Sequence, residues 1–256
     1  MDTSTAYKIK TYNAIAPAGL QRFDSGDYAV GPELEGADAM LLRSHKLAVD
    51  ELMPGLRAIA RAGAGVNNVP VEACSQAGIV VFNTPGANAN SVKELVLTGL
   101  LLASRDVIGG INYVRSLADV CDGAELNKLV EAEKKKFKGR ELIGKTLGVV
   151  GLGAIGSMVA RAALDLGMDV LGYDPDLSVD AAWRLPSSVE RMDNLPSLFA
   201  RADYVTLHVP QLPATEGMIN AETLQAFKPG SVLLNFARQP VVDTAGLKAS
   251  LESGRL

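Results

Sequence analysis

The sequence predicts an α/β protein built as two parallel-sheet units in series. Two runs of short apolar strands alternating with helix-like segments predict it, one in the first hundred residues and one after residue 145. Between them lies a charged stretch, residues 131–140, that reads as a junction. The 256 residues, 48% apolar and 21% charged, suffice for one large or two small cores, and they exclude disorder or a fibre.

In the first run, strands are expected at residues 7–13, 39–43, 57–61 and 79–82, punctuated by Gly and Pro, with helix-like pieces around Asp50 and Val71. Residues 91–104 read as a long buried helix. Its most apolar part, residues 95–103, is flanked by Glu94 and Arg105. That is about half the roughly 20 residues a bilayer span needs, so a core helix is expected and no membrane partner. A further helix is expected at residues 110–117. After the charged stretch, strands at residues 146–150, 169–173, 204–209 and 231–235 alternate with helices at 154–166, 195–200, 221–227 and 245–253. Ile155, Val159 and Ala163, with Leu166, place one apolar stripe on the first of these helices.

Lys and Arg number 25 against 29 Asp and Glu, a net charge of −4, which argues against a nucleic-acid or membrane-surface role built on bulk charge. Cys74 and Cys121 form neither a CxxC nor a metal-spaced set, so no metal is expected and a reducing compartment fits. Residues 1–5 lack the basic and apolar regions of a secretory signal, and the expected location is cytoplasmic.

Gly151-Leu152-Gly153-Ala154-Ile155-Gly156 directly follows an apolar strand and opens the striped helix, with Asp174 a further 18 residues on, at the end of the next strand. This conjunction predicts a Rossmann-type, doubly wound dinucleotide domain. Gly151 permits the tight turn, Gly153 leaves room for a pyrophosphate against bare backbone, and Gly156 lets helix and strand pack closely. Free N–H groups and the helix dipole, around Ala154 and Ile155, hold the anion. Asp174 suits two ribose hydroxyls and repels a 2′-phosphate, which favours NAD over NADP.

Several motifs occur together: Arg61-Ala62-Gly63-Ala64-Gly65-Val66-Asn67-Asn68-Val69, Phe82-Asn83-Thr84-Pro85-Gly86, Val92-Lys93-Glu94-Leu95, Leu207-His208-Val209-Pro210 and Asn235-Phe236-Ala237-Arg238. With the glycine turn behind a smaller α/β unit, the chain from about residue 40 onward resembles the NAD-dependent D-2-hydroxyacid dehydrogenase family. The resemblance implies a flavodoxin-like substrate domain, residues 1–92, and a cofactor domain, residues 93–256, with substrate in the cleft between them. Through Leu42-Arg43-Ser44 and residues 135–148 the chain is most similar to members acting on 3-phosphoglycerate. That implies NAD-dependent oxidation of 3-phospho-D-glycerate to 3-phosphohydroxypyruvate, at the entry to serine synthesis.

Residue by residue, the resemblance assigns Arg238 to the substrate carboxylate and C2 oxygen, a task suited to a planar, permanently charged fork. Gln239 and Pro240 follow it where the family usually has Gly, which bears on the local backbone. Ala62 and the N–H groups of Gly63, Ala64 and Gly65 would bind the carboxylate from the first domain, Ala64 also touching the cofactor. Arg43, and Lys134 from a second subunit, would hold the phosphate. Val209, Pro210, Phe236 and Ala237 would line the nicotinamide and adenine sides, with His208 a cofactor-edge or structural group. His45 reads as a surface residue and Cys74 as a small core side chain.

The family's orienting glutamate and proton-accepting histidine follow the arginine, whereas 18 residues follow Arg238 here. His208 and Glu252 match neither position. The expectation is therefore a chain impaired in catalysis, its substrate domain without the C-terminal return and its cofactor domain without the last strand. A homodimer through the cofactor domain, with residues 112–126 in the contact, is also implied. The rival readings are a sibling acting on glyoxylate, hydroxypyruvate or lactate, and an NAD-binding regulatory or scaffold protein without catalysis.

Overall fold

The computed structural model describes residues 7–183 and 185–256. Residues 1–5, read above for a signal, lie outside them. The chain divides into two compact units, Met1–Asn88 and Ala89–Leu256.

The first unit holds β1 (Tyr7–Thr11), α1 (Pro17–Leu20), β2 (Tyr28–Gly31), β3 (Ala39–Leu42), β4 (Ala58–Arg61), α2 (Val71–Gln76) and β5 (Val80–Asn83). The sheet is wholly parallel in the order β2-β1-β3-β4-β5, the flavodoxin-like order, so its direction of winding reverses between β1 and β3. Met40, Leu42, Ile59, Cys74 and Ile79 form its core. The strand read at residues 7–13 ends at Thr11, because Asn13 turns the chain at φ +64°. Four-residue β2 escapes the sequence reading, and the helix-like piece around Asp50 is a single 3-10 turn, Val49–Glu51.

The second unit begins with α3 (Ala89–Ser104), four residues ahead of the expected boundary at residue 93, because Val96 and Leu100 are wholly buried against Leu147 and Val149 of its own sheet. Next come α4 (Val107–Ser116) and α5 (Gly123–Glu133). The charged stretch at 131–140 is no junction between units: it is the end of α5 and a 3-10 turn, Lys134–Phe137, inside the second unit. Leu95 to Ala103 lies within α3, and no helix among the described residues is long and apolar enough to cross a membrane.

Five strands follow, β6 (Thr146–Val150), β7 (Asp169–Tyr173), β8 (Val189–Arg191), β9 (Tyr204–Leu207) and β10 (Val232–Asn235). Between and after them lie α6 (Ala154–Asp165), α7 (Val179–Ala182), α8 (Leu195–Arg201), α9 (Ala221–Leu224) and α10 (Thr244–Glu252). All strand pairs are parallel, in the order β10-β9-β6-β7-β8. Buried Leu147, Val149, Val150, Val205 and Leu207 show why these strands read as continuous apolar runs: both sheet faces are covered. One face packs α3 and α6 through Val159, Ala160 and Ala163; the other packs α8 and the stacked rings of Phe199 and Phe227, 4.2 Å apart. A Cβ on Gly148 would lie 2.4 Å from Leu198, so the centre of β6 must be bare where α8 crosses it. This order turns back between β6 and β9, where open α/β sheets place their ligands.

Candidate functional site

The glycine turn leaves β6 at that switch point. Gly151 has φ +89°, and a Cβ there would come within 2.9 Å of the His208 carbonyl carbon, so only glycine passes between β6 and the end of β9. A Cβ on Gly156 would lie 1.9 Å from the Gly151 oxygen, whereas one on Gly153 would meet nothing within 4 Å. The second glycine thus faces open space, the room a pyrophosphate needs. Gly153 is the N-cap of α6 and supplies no side-chain cap, so the first-turn N–H groups around Ala154 and Ile155 remain for an anion. The residues present fit a dinucleotide.

Asp174 follows β7. Its Oδ2 accepts the Leu152 N–H at 2.8 Å and its Oδ1 the Asp176 N–H at 3.1 Å, which ties the acid to the turn. A cavity of about 530 Å³ opens beside it, walled by Leu152, Leu177, Trp183 and Pro186.

His208 follows β9, with Val209 and Pro210 behind it. Burial pushes its pKa down to about 4, so the ring is neutral at pH 7; Nε2 meets Thr206 Oγ1 at 3.0 Å, and the ring stacks on Phe236. Nδ1 is buried without a partner. After β10, Asn235 Oδ1 accepts the Ala237 N–H and Asn235 Nδ2 donates to the Arg238 carbonyl, a side-chain-built turn that sets Phe236, Ala237 and Arg238 in place. Arg238 is extended (φ −135°, ψ 152°) and exposed, and Gln239–Val241 forms a 3-10 turn. The replacement of Gly by Gln239 and Pro240 is absorbed there without a positive φ. A cavity of about 580 Å³ is lined by Arg238, Asn235 and β10 together with Leu247 and Leu251, and by no residue of the glycine turn.

In the first unit, Arg43 follows β3 at the winding reversal. Asn13 Oδ1 accepts the Ser44 and His45 N–H groups at 2.9 and 2.6 Å; Asn68 Nδ2 donates to the Arg43 and His45 carbonyls, and Arg61 Nε to the Arg43 carbonyl at 3.1 Å. Asn tolerates the left-handed backbone that Asn13 adopts. The Arg61 guanidinium also lies over Gly63, where a Cβ would sit 1.6 Å from Nη1 and φ is +153°. Asn83 Nδ2 holds the Ala64 carbonyl at 2.7 Å. Ala62, Gly63, Ala64 and Gly65 therefore form a loop braced from both sides, with Arg61 and Arg43 at one strand end. Arg61, Asn13 and Asn68 were given no role by the sequence reading; the usable signal was a basic residue closing the apolar strand Ala58–Arg61 just before a glycine.

His45 is not a simple surface residue. It is half-buried, stacked on Tyr12 at 4.2 Å, with Nε2 3.0 Å from Glu51. The Ala48 N–H holds the Glu51 carboxyl below its ordinary range, against a smaller opposing effect of burial, with His45 and Tyr12 adding bonds. Lys134 is exposed and ion-paired with Glu131. Cys74 is buried, which raises its thiol pKa, and Cys121 is exposed; both are free.

A parallel sheet in Rossmann order, an anion-ready glycine turn at its switch point and an acid tied to that turn define an NAD-binding α/β protein. Residues 111–256 match the family model for the D-isomer specific 2-hydroxyacid dehydrogenase, NAD binding domain, and the chain belongs to that family. It is 37% identical over 227 residues to a D-3-phosphoglycerate dehydrogenase of Methanocaldococcus jannaschii, covering 88% of this chain but 40% of that one. It is 38% identical over 225 residues to an (S)-sulfolactate dehydrogenase of Chromohalobacter salexigens, covering 86% of this chain and 68% of that one. The structure of Aquifex aeolicus D-lactate dehydrogenase with NAD and lactic acid superposes with a TM-score of 0.76 at 26% identity, covering 97% of this chain and 74% of that one. The chain thus spans about two fifths of the length of the phosphoglycerate dehydrogenase it matches. NAD is its cofactor.

Proposed function

We propose that the protein carrying this chain is an NAD-dependent dehydrogenase that oxidises 3-phospho-D-glycerate to 3-phosphohydroxypyruvate, the step that leads into serine synthesis. The observation that carries this reading is Arg43, braced at the winding reversal of the first sheet by Asn68 and by a second arginine, Arg61. A substrate with a carboxylate and a second anion suits an arginine whose backbone is fixed, through its carbonyl, beside a loop of glycine amides. Of the curated relatives, one is named for a phosphorylated and another for a sulfonated 2-hydroxy acid, and a third, at 37% identity, is a hydroxypyruvate reductase of Thermotoga maritima.

NAD⁺, when bound, accepts a hydride from C2. The remaining work falls to this chain. The N–H groups opening α6 hold the pyrophosphate, and Asp174 holds the ribose. Val209, Pro210, Phe236 and Ala237, with His208, line the cofactor side. In the second unit Arg238 is the group for the carboxylate and the C2 oxygen; in the first, the Gly63, Ala64 and Gly65 amides are donors for a carboxylate. Neutral His208, already bonded to Thr206, serves as a structural group.

The protein acts as a homodimer joined through the second unit. Neither α4 nor α5 has a buried residue, and Val107, Ile108, Ile111 and Val114 are exposed, an apolar face suited to a second copy. Lys134, just beyond α5, then reaches the phosphate held by the partner's copy of Arg43. Two unpaired thiols fit the cytoplasm.

The test is Arg43→Ala in the full-length protein. The expected result is a rise of about tenfold or more in KM for 3-phosphoglycerate with KM for NAD unchanged, as follows from losing a charge-assisted bond. An unchanged KM for 3-phosphoglycerate would overturn the reading in favour of a sibling acting on an uncharged-tail acid such as glyoxylate. A lower KM for 3-sulfolactate than for 3-phosphoglycerate would overturn it in favour of a sulfonate.

A further inference from the structure

Lys93 stands near the start of α3, half-buried where that helix packs against α6. With Ala154, Ser157, Arg161 and Asp165 it lines a depression of about 450 Å³ that runs along α6 from its first residue to its last. Its Nζ donates to Asn90 Oδ1 at 2.7 Å, and it forms no ion pair among the described residues. Arg161, farther along α6, already has a partner.

Within this depression the one carboxylate, that of Asp165, belongs to the last residue of α6, and none stands at the end where the helix begins. A dinucleotide pyrophosphate carries two negative charges, and the turn that receives it, Gly151 to Gly156, contains no cationic side chain. A helix N-terminus offers only about half a unit of positive charge. Ala154, the first residue of α6, shares the wall of the depression with Lys93, and its N–H is among those left for the anion.

We propose that Lys93 is the counter-charge for the NAD pyrophosphate in this protein, reaching across from α3 to the N-terminus of α6. A flexible stem with a compact ammonium suits a phosphate approached from the side. The inference rests on NAD binding, which family membership gives, and not on the choice of substrate.

The test is binding of NADH, followed by its own fluorescence, to Lys93→Met, which keeps the packing of the stem and removes the charge. The expected dissociation constant rises about tenfold at low salt, and its dependence on salt becomes shallower. Binding of adenosine, which has no phosphate, stays as in the native protein. Lys93→Arg binds NADH nearly as well as the native protein, and Lys93→Met/Ala154→Lys, which carries the cation on the opposite wall, recovers most of the loss. The proposal is overturned if Lys93→Met binds NADH within twofold of the native protein, or if adenosine is weakened as much as NADH. Normal adenosine binding also verifies that the variant is folded, and a failed substrate test at Arg43 leaves this result untouched.

Discussion

The Asp174 carboxylate accepts the Leu152 amide at 2.8 Å, so the acid at the end of β7 and the glycine turn leaving β6 are one hydrogen-bonded unit. Each carboxylate oxygen can accept two bonds, and Asp176 uses one more. Acceptor capacity therefore remains on a carboxylate whose direction is already fixed. Fixing it before the cofactor arrives removes the rotamer cost of ordering the side chain on binding.

Replacing Asp174 with Ala is expected to weaken NADH binding by about 10- to 100-fold, the loss of one or two charge-assisted hydrogen bonds at roughly 1.5–3 kcal/mol. The same change removes the charge that repels a 2′-phosphate, so NADPH binding should weaken less or improve. Fluorescence titrations with both nucleotides check this. An unchanged ratio of the two affinities would show that Asp174 does not set the preference.

The three glycines of the turn separate into two physical roles, and alanine scanning should resolve them. At Gly156 a methyl group meets the Gly151 oxygen at 1.9 Å, so Gly156→Ala must push the helix from the turn and destabilise the unit by about 1–3 kcal/mol, the usual range for overpacking. At Gly153 a methyl group meets nothing, and the backbone there (φ −66°) accepts one. Gly153→Ala should melt within a degree or two of the native protein yet bind NADH at least tenfold more weakly, because the methyl occupies the room left for the pyrophosphate. Thermal melts and NADH titrations on both variants distinguish the cases; a large loss of melting temperature in Gly153→Ala would contradict the assignment.

The glycine turn and Asp174 were legible in the sequence because each depends on local order: a strand, a turn and a helix in fixed succession. The strands of the second unit were legible for a related reason, since strands buried on both faces are apolar throughout. Residues that act across the fold were not. Arg61 and Asn68 meet Arg43 from 18 and 25 residues away, and Asn13 meets His45 from 32. His45 looked like a loop residue because the Tyr12 ring and Glu51 that enclose it belong to other segments. Short β2 and β8, four and three residues long, hold their places by pairing with β1 and β7 rather than by pattern. The charged stretch misled in the opposite sense: Glu131, Glu133, Lys134 and Lys136 are ion-paired along one helix end, the solvated face that closely spaced opposite charges favour.

His208 gives stability a pH dependence whose sign follows from its burial. Desolvation lowers its folded pKa to about 4, from an ordinary value of 6.5. Between these values the unfolded chain binds a proton that the folded chain refuses, so its contribution is complete above about pH 6.5 and is lost as pH falls toward 4, at up to roughly 1.4 kcal/mol per pH unit. The structural reason is the seam it occupies: Nε2 on Thr206, the ring against Phe236, and Nδ1 buried with no acceptor for an added proton. His208→Gln keeps a group able to bond Thr206 but cannot titrate. Urea unfolding of both proteins at about pH 7, 6 and 5 should show the native protein losing stability faster than the variant, the gap between them changing by on the order of 1 kcal/mol per pH unit. Carboxylates that titrate lower in the range act on both proteins alike and cancel in that difference. Parallel profiles would mean that the imidazole protonates as readily in the folded state as in the unfolded one, and that the seam around Thr206 and Phe236 is open to water.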